Sequence, residues 1–150
     1  MLAVIRIRGR VGIKKEIRDT FKMLNLDKKY RCVVIPETPQ YVGMVKKIKD
    51  YSTWGPISEE VLIKLIEKRG RTIHNEKISE TFLKKKKLKD MKNLAKKIME
   101  GTKLKELGLK PYFRLSPPSK GFKGSVKQPY PKGALGNRGE KINDLLKKMI

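Results

Sequence analysis

Arg6, Arg8 and Arg10 recur at alternate positions near the start of the chain, and Lys14 and Lys15 follow closely. A guanidinium presents a planar fork of N–H donors that matches phosphate oxygens, so this group is suited to gripping a phosphodiester backbone. A second group lies between Ser116 and Gly139. There Lys120, Lys123, Lys127, Lys132 and Arg138 stand among four prolines and five glycines, with no acid. The lysines and arginine would contact phosphates, and glycine permits close approach. Phe122 and Tyr130 offer rings on which an unpaired base would stack, or which would equally pack back on the body.

Other chemistry is poorly supplied. His74 is the only imidazole and has no evident partner for acid–base or nucleophilic work. Glu59-Glu60 suits the first turn of a helix better than a catalytic dyad. Gly101-Thr102-Lys103 lacks the order that cradles a nucleotide. Gly9-Arg10-Val11-Gly12 resembles the clamp of KH domains, but that clamp joins two helices and here a strand precedes it. One His and one Cys cannot make a zinc site of the usual kind or a disulfide within the chain, so no metal and no cofactor is expected. Cys32 suits a reducing compartment as a small buried residue.

Charge points the same way. Lys and Arg number 38 against 15 Asp and Glu, a formal net charge of +23 on 150 residues. That excess repels itself, and a polyanion relieves it. A solvated face accounts for Lys96-Lys97 and Lys147-Lys148, but not for the acid-free stretch from Ser116. No apolar run approaches the eighteen or so residues of a membrane helix, and the first residues do not read as a secretory signal. The expectation is a soluble intracellular protein with no membrane contact and no small-molecule substrate.

The elements that must position these side chains follow from periodicity. Ala3 to Arg8 reads as a strand with Arg6 and Arg8 on one face. Ile13, Ile17, Phe21 and Leu24 form one helical stripe. Arg31 to Ile35 reads as a buried strand. Thr38-Pro39 caps a helix carrying Tyr41, Met44, Val45 and Ile48. Such a strand-helix-strand-helix unit buries both stripes by placing its helices on one face of a sheet. Tyr51 to Pro56 breaks the pattern as a turn, with Trp54 favoured as a core anchor over a base platform. Ser58 caps a third helix with Val61, Leu62, Leu65 and Ile66, ended by Gly70. The run Lys84 to Lys87 precedes a fourth helix carrying Met91, Leu94, Ala95, Ile98 and Met99. Tyr112 to Leu115 reads as a third strand, and Ile142, Leu145, Leu146 and Met149 mark a last helix. Residues 116–139 are too rich in Pro and Gly to pack as an element.

These residues carry a resemblance. Arg8 and its turn, Thr20-x-x-x-Leu24-x-Leu26, Val33-Val34-Ile35-Pro36-Glu37-Thr38-Pro39 and Gly43-Met44-Val45-x-Lys47 resemble the core of the ribosomal protein L-thirty family of the large subunit. Tyr51-x-x-Trp54-Gly55, Lys68-Arg69-Gly70, Phe113-x-Leu115-Ser116-Pro117-Pro118 and Gly136-Asn137-Arg138-Gly139-Glu140-x-Ile142-Asn143 are similar to its longer archaeal and eukaryotic branch, whose eukaryotic member is called L-seven. The resemblance covers nearly the whole chain and is weakest across Ile78 to Lys89.

It implies an α+β fold: a small three-stranded sheet with helices packed on one face, extra helices and a basic extended loop. One ribosomal-protein domain would span 1–150, with the core in 1–50, a helical elaboration and third strand in 51–115, the loop in 116–139 and a terminal helix in 140–150. The implied role is structural and cytoplasmic, binding large-subunit ribosomal RNA beside neighbouring ribosomal proteins, without catalysis. Arg8, Lys47, Arg69 and Arg138 are the motif-matched contacts. Arg6, Arg10, Lys14, Lys15, Arg71, Lys120, Lys123, Lys127 and Lys132 join them by charge and placement. The rival readings are a small RNA-modifying or RNA-cleaving enzyme using His74, and a nucleic-acid-compacting protein.

Overall fold

The computed structural model describes residues 1–85 and 90–150. Its sheet is built around β1 (Leu2–Arg6), which pairs antiparallel with β2 (Arg31–Ile35) on one side and β3 (Ser52–Pro56) on the other. All five residues of β1 are buried, because helices cover both faces of the sheet and not one face as expected. Leu2 and Val4 point with Val33 and Ile35 into one core, and Ala3 and Ile5 point with Cys32 and Val34 into the other. A central strand enclosed in this way reads as a nearly continuous apolar run rather than an alternation.

Helices α1 (Lys15–Met23) and α2 (Pro39–Lys47) share the first of these faces, as expected of the strand-helix-strand-helix unit. Phe21, Leu24, Val45 and Ile48 are their buried anchors. Thr38 caps α2 as its sequence predicts, its hydroxyl accepting from the Tyr41 N–H at 3.4 Å, and Pro39 stands at the first helical position. Helices α3 (Glu59–Arg69), α4 (Glu80–Lys85), α5 (Met91–Met99) and α6 (Ile142–Met149) follow, and α3, α5 and α6 fill the opposite face. Full burial of a Leu or Ile contributes roughly 1.5–3 kcal/mol, so the four buried side chains of α3 anchor this layer. Ser58 begins α3 without a side-chain cap. Its own N–H instead donates to Asn143 Oδ1 at 2.9 Å, tying α3 to the start of α6. The expected lysine run reaches past the described residues at Lys86 and Lys87.

The sheet has six strands and not three, in the order β4 (Phe113–Arg114), β2, β1, β3, β6 (Gly133–Asn137), β5 (Ser125–Pro129). The expected third strand is present as β4 (Phe113–Arg114), hydrogen-bonded to β2 at the sheet edge. Two other expectations are corrected. Tyr51 to Pro56 is not merely a turn: Thr53 and Trp54 lie directly against Ile5 and Val4. Gly55 hid this strand, and its role is close approach. A Cβ there would sit 2.2 Å from the Gly139 carbonyl oxygen and 3.0 Å from Ile142.

Nor are residues 116–139 a free loop throughout. β5 (Ser125–Pro129) is exposed, but β6 (Gly133–Asn137) runs parallel beside β3, with Thr53 opposite Gly136 and Trp54 opposite Asn137. Ala134 and Leu135 are buried against Ile7. Gly133 lets β6 lie close against β5, since a Cβ there would collide with the Gln128 carbonyl oxygen. Tertiary closeness selected the glycines that composition alone reads as loop. Trp54 packs against the α1/α2 core, in keeping with its reading as an anchor.

Candidate nucleic-acid interface

The basic residues fall into three groups. The first surrounds the turn between β1 and α1. Arg6, expected on an accessible basic face, is internal: it is 2% exposed and its guanidinium lies over the Phe21 ring. Its Nε donates to the Arg8 carbonyl at 3.0 Å, Nη1 to Leu26 and Asp27 carbonyls at 2.8 and 3.1 Å, and Nη2 to the Gly9 carbonyl at 2.8 Å. Desolvation and the neighbouring charge of Arg10 lower its pKa to about 10, with Asp27 opposing, so it remains a cation at neutral pH. The expectation of an accessible face at Arg6 is therefore corrected: it is the internal post of this turn. β1 ends at Arg6, so Arg6 and Arg8 do not share a continuous strand face.

What Arg6 holds is accessible. Arg8 is half-buried, its guanidinium over Tyr51 and one Nη1 donating to the Asp50 carbonyl at 3.2 Å. Arg10 is exposed, with its Nε on the Asp27 carbonyl. Beside them lies a cavity of about 300 Å3 to which Arg10, Arg18 and Lys22 contribute. Lys14 and Lys15, both exposed, stand at the N-terminus of α1, where the helix dipole is already positive. Cations there are unfavourable until an anion is shared between them. Lys47, on α2, is exposed and reaches Glu16 Oε2 at 3.5 Å. An exposed pair of this kind is worth little and yields readily to a stronger anion.

The second group centres on the end of α3. Arg69 is half-buried, and its Nε and Nη2 donate to the main-chain oxygen of Ile150 at 3.1 and 2.9 Å, with Nη2 also reaching Ser116 Oγ at 2.6 Å. Arg71 lies on the next segment and shares with Arg69 a cavity lined further by Lys110 and Arg114. Sequence reasoning missed Lys110 and Arg114. The signal was present in the alternation of Phe113, which is buried, with Arg114, which is exposed.

The third group is the 116–139 segment. Lys120, Lys123, Lys127 and Lys132 are all exposed. Arg138 is not: its Nη2 donates to the Ala134 carbonyl at 2.9 Å and its guanidinium lies 5.0 Å from the Tyr130 ring centre. Burial lowers its pKa and Tyr130 acts in the opposite sense. Lys123, Arg138, Lys141 and Lys148 meet around one cavity that includes a single acid, Asp144. Phe122 stacks on Tyr30 with ring centres 6.4 Å apart. Of the two packing options open to this aromatic, the structure takes the inward one.

Compensation is scarce. Among the described residues only two ion pairs form, Arg31–Asp27 and Lys47–Glu16. His74 is exposed on a turn, and among the described residues no group of three His, Cys, Asp or Glu side chains converges to hold a metal. No helix among the described residues is long and apolar enough to cross a membrane. The arrangement can therefore bind phosphate-rich surfaces over a wide area, with internal arginines fixing the backbone that carries the external ones.

Comparison with known proteins gives consistent matches. A family profile described as Ribosomal protein L30p/L7e matches residues 2–51. The chain is 50% identical over 152 residues to large ribosomal subunit protein uL30 of Methanosphaera stadtmanae, covering 100% of both chains. It is 46% identical over 153 residues to the protein of that name in Nanoarchaeum equitans, covering 100% of this chain and 99% of that one. Against that of Archaeoglobus fulgidus the identity is 47% over 152 residues, covering 99% of each.

Proposed function

This chain belongs to the ribosomal protein L30p/L7e family, and we infer from that membership that it is a structural constituent of the large ribosomal subunit, bound to ribosomal RNA and to neighbouring ribosomal proteins. It is not an enzyme. It acts in the cytoplasm, where the subunit works. The observation that carries this reading beyond similarity is the cation excess, 38 basic against 15 acidic residues, with two ion pairs among the described residues. Uncompensated surface cations release counterions when they meet phosphates, and that release drives binding.

Within this reading, Arg8, Arg10, Lys14, Lys15, Arg71, Lys120, Lys123, Lys127 and Lys132 are the phosphate contacts, with Lys47 exchanging Glu16 for RNA. Arg8 and Arg71 are half-buried and the others are exposed, which supports the assignment. Arg6, Arg69 and Arg138 act one step back, holding the backbone of the turn, the end of α6 and β6. Residues 1–150 form one domain in this reading. Support comes from β6, which returns from the segment after residue 116 to pair with β3 near the core of the first fifty residues. Sedimentation of the native protein with large subunits tests the function. Co-sedimentation that survives washing at moderate salt is expected, and a protein found only in the soluble fraction overturns it.

A further inference from the structure

The cavity at the end of α3 has a construction that general phosphate attraction does not explain. Its walls are Arg69, Arg71, Asn75, Lys110, Tyr112 and Arg114, and its volume is about 350 Å3. The segments bearing them are locked together by backbone bonds. Thr72 pairs with Leu109, the Lys110 N–H donates to the Arg71 carbonyl at 2.9 Å, and the Ile73 N–H donates to the Gly108 carbonyl at 3.2 Å. Residues 109–112 then lead directly into β4. The cations are thus held on fixed backbone, and Lys110 Nζ is further held on Asn75 Oδ1 at 2.8 Å.

No carboxylate lines this cavity, and Arg71, Lys110 and Arg114 belong to no ion pair among the described residues, whereas Arg69 is engaged on the Ile150 main-chain oxygen. Three such like charges around one concavity repel unless an anion enters. The cavity is also at the size of small-ligand pockets and several times too large for a phosphate group alone. Its remaining walls are an aromatic ring and a carboxamide. Tyr112 is pinned by Arg31, whose guanidinium carbon lies 3.9 Å from its ring centre, and Arg31 is anchored in turn on Asp27 Oδ2 at 3.1 Å. A rigid ring, an amide and several guanidinium groups are the components that recognise a base together with its phosphate.

We propose that this cavity receives one RNA nucleotide swung out of its stack, with its phosphate among Arg71, Lys110 and Arg114 and its base against Tyr112 and Asn75. The proposal rests on the ribosomal RNA reading and gives that reading a specific anchor. A paired A-form helix presents no such isolated nucleotide, so the cavity selects an unpaired bulge or loop.

The test is titration of the full-length protein, followed by backbone amide shifts, with adenosine 5′-monophosphate, uridine 5′-monophosphate, inorganic phosphate and hexaglutamate at matched ionic strength. Saturable shifts centred on Arg71, Asn75, Lys110, Tyr112 and Arg114 are expected, with a mononucleotide binding about tenfold more tightly than inorganic phosphate. Tyr112→Leu removes that difference, whereas Arg114→Gln, on an exposed edge position, weakens both ligands and leaves the folded spectrum intact. Equal affinity for phosphate and nucleotide overturns the proposal, as does hexaglutamate binding at least as tightly as the nucleotides, which would assign the cavity to an acidic protein segment. A parallel titration with large-subunit ribosomal RNA separates the two readings. If RNA binds wild type and Arg114→Gln equally, the cavity is refuted and the general function stands; if RNA binds neither, the general function fails.

Discussion

The guanidinium carbon of Arg6 lies 4.0 Å from the centre of the Phe21 ring, so a cation at the end of the central strand is stacked on the main aromatic anchor of α1. The same guanidinium donates to four carbonyls on two turns, at Arg8, Gly9, Leu26 and Asp27. Arg6 thereby joins the hydrophobic packing of one face to the backbone that presents Arg8 and Arg10. A charge this enclosed persists because nearly every donor has an oxygen and the ring supplies the rest.

Arg6→Met keeps much of the volume and removes the donors. The orphaned carbonyls and missing ring stacking should cost about 2–4 kcal/mol, read as a lower chemical-denaturation midpoint. RNA affinity measured well below the transition should fall less than in Arg10→Ala. An unchanged midpoint would show that Arg6 is not the post of this turn.

Gly55→Ala places a methyl against the Gly139 carbonyl oxygen and Ile142. Both are backbone or core atoms with little freedom to withdraw. Destabilisation of at least about 1–3 kcal/mol is expected by thermal or urea unfolding. A variant as stable as wild type would mean that β3 and the turn over Gly139–Lys141 do not approach this closely.

Replacing Lys120, Lys123, Lys127 and Lys132 together by Gln should weaken RNA binding and flatten its salt dependence, by about 0.7–0.9 in slope for each phosphate no longer neutralised. These side chains are exposed, so the melting temperature should move by no more than a few degrees. Strand β6 lies in the same segment but is held by Ala134, Leu135 and Gly133, none of which this variant touches. A large fall in melting temperature would place the lysines in the core's support instead.

Cys32 is enclosed between β1 and the helices of the second face, and burial pushes its thiol up to about 12 from 9.0. At pH 8 the native thiol should react with alkylating reagents only through opening of the fold, and at the ordinary rate once the chain is unfolded. The sign of the linkage follows. Between pH 9 and 12 the unfolded chain has released a proton that the native one keeps, so this group's contribution to stability falls as pH rises through that range. Cys32→Ala should remove that part of the pH slope. Rapid alkylation of the folded protein would contradict the burial.

The first fifty residues were legible because their apolar residues are spaced by element: Ile13, Ile17, Phe21 and Leu24 have one reading, as do Tyr41, Met44, Val45 and Ile48. Strands β3 and β6 were not, because Gly55 sits under the Gly139 carbonyl, Gly133 against Gln128, and Gly136 pairs with Thr53 at a positive φ, and local sequence cannot distinguish such needs from a turn. The site divided along the same line. Composition identified the cations, but whether an arginine faces water depends on which carbonyls the fold gathers around it. Arg6, Arg69 and Arg138 are enclosed beside such carbonyls; Arg10, with only its Nε on the Asp27 carbonyl, and the lysines of the 116–139 segment remained outside. Lys110 and Arg114 gained meaning only when residues 70–78 folded back beside them.

If the unpaired cations of this small protein exist to hold large-subunit ribosomal RNA, binding must be both selective and electrostatic. The equilibrium affinity of the purified protein for that RNA, taken across a series of salt concentrations with duplex DNA of equal length as competitor, reads both properties at once. We expect a clear preference for the ribosomal RNA and a logarithmic affinity that falls linearly with logarithmic salt, with a slope of about −4 or steeper. Affinity that is indifferent to salt, equal for the two polymers, or absent near cellular ionic strength would refute that role.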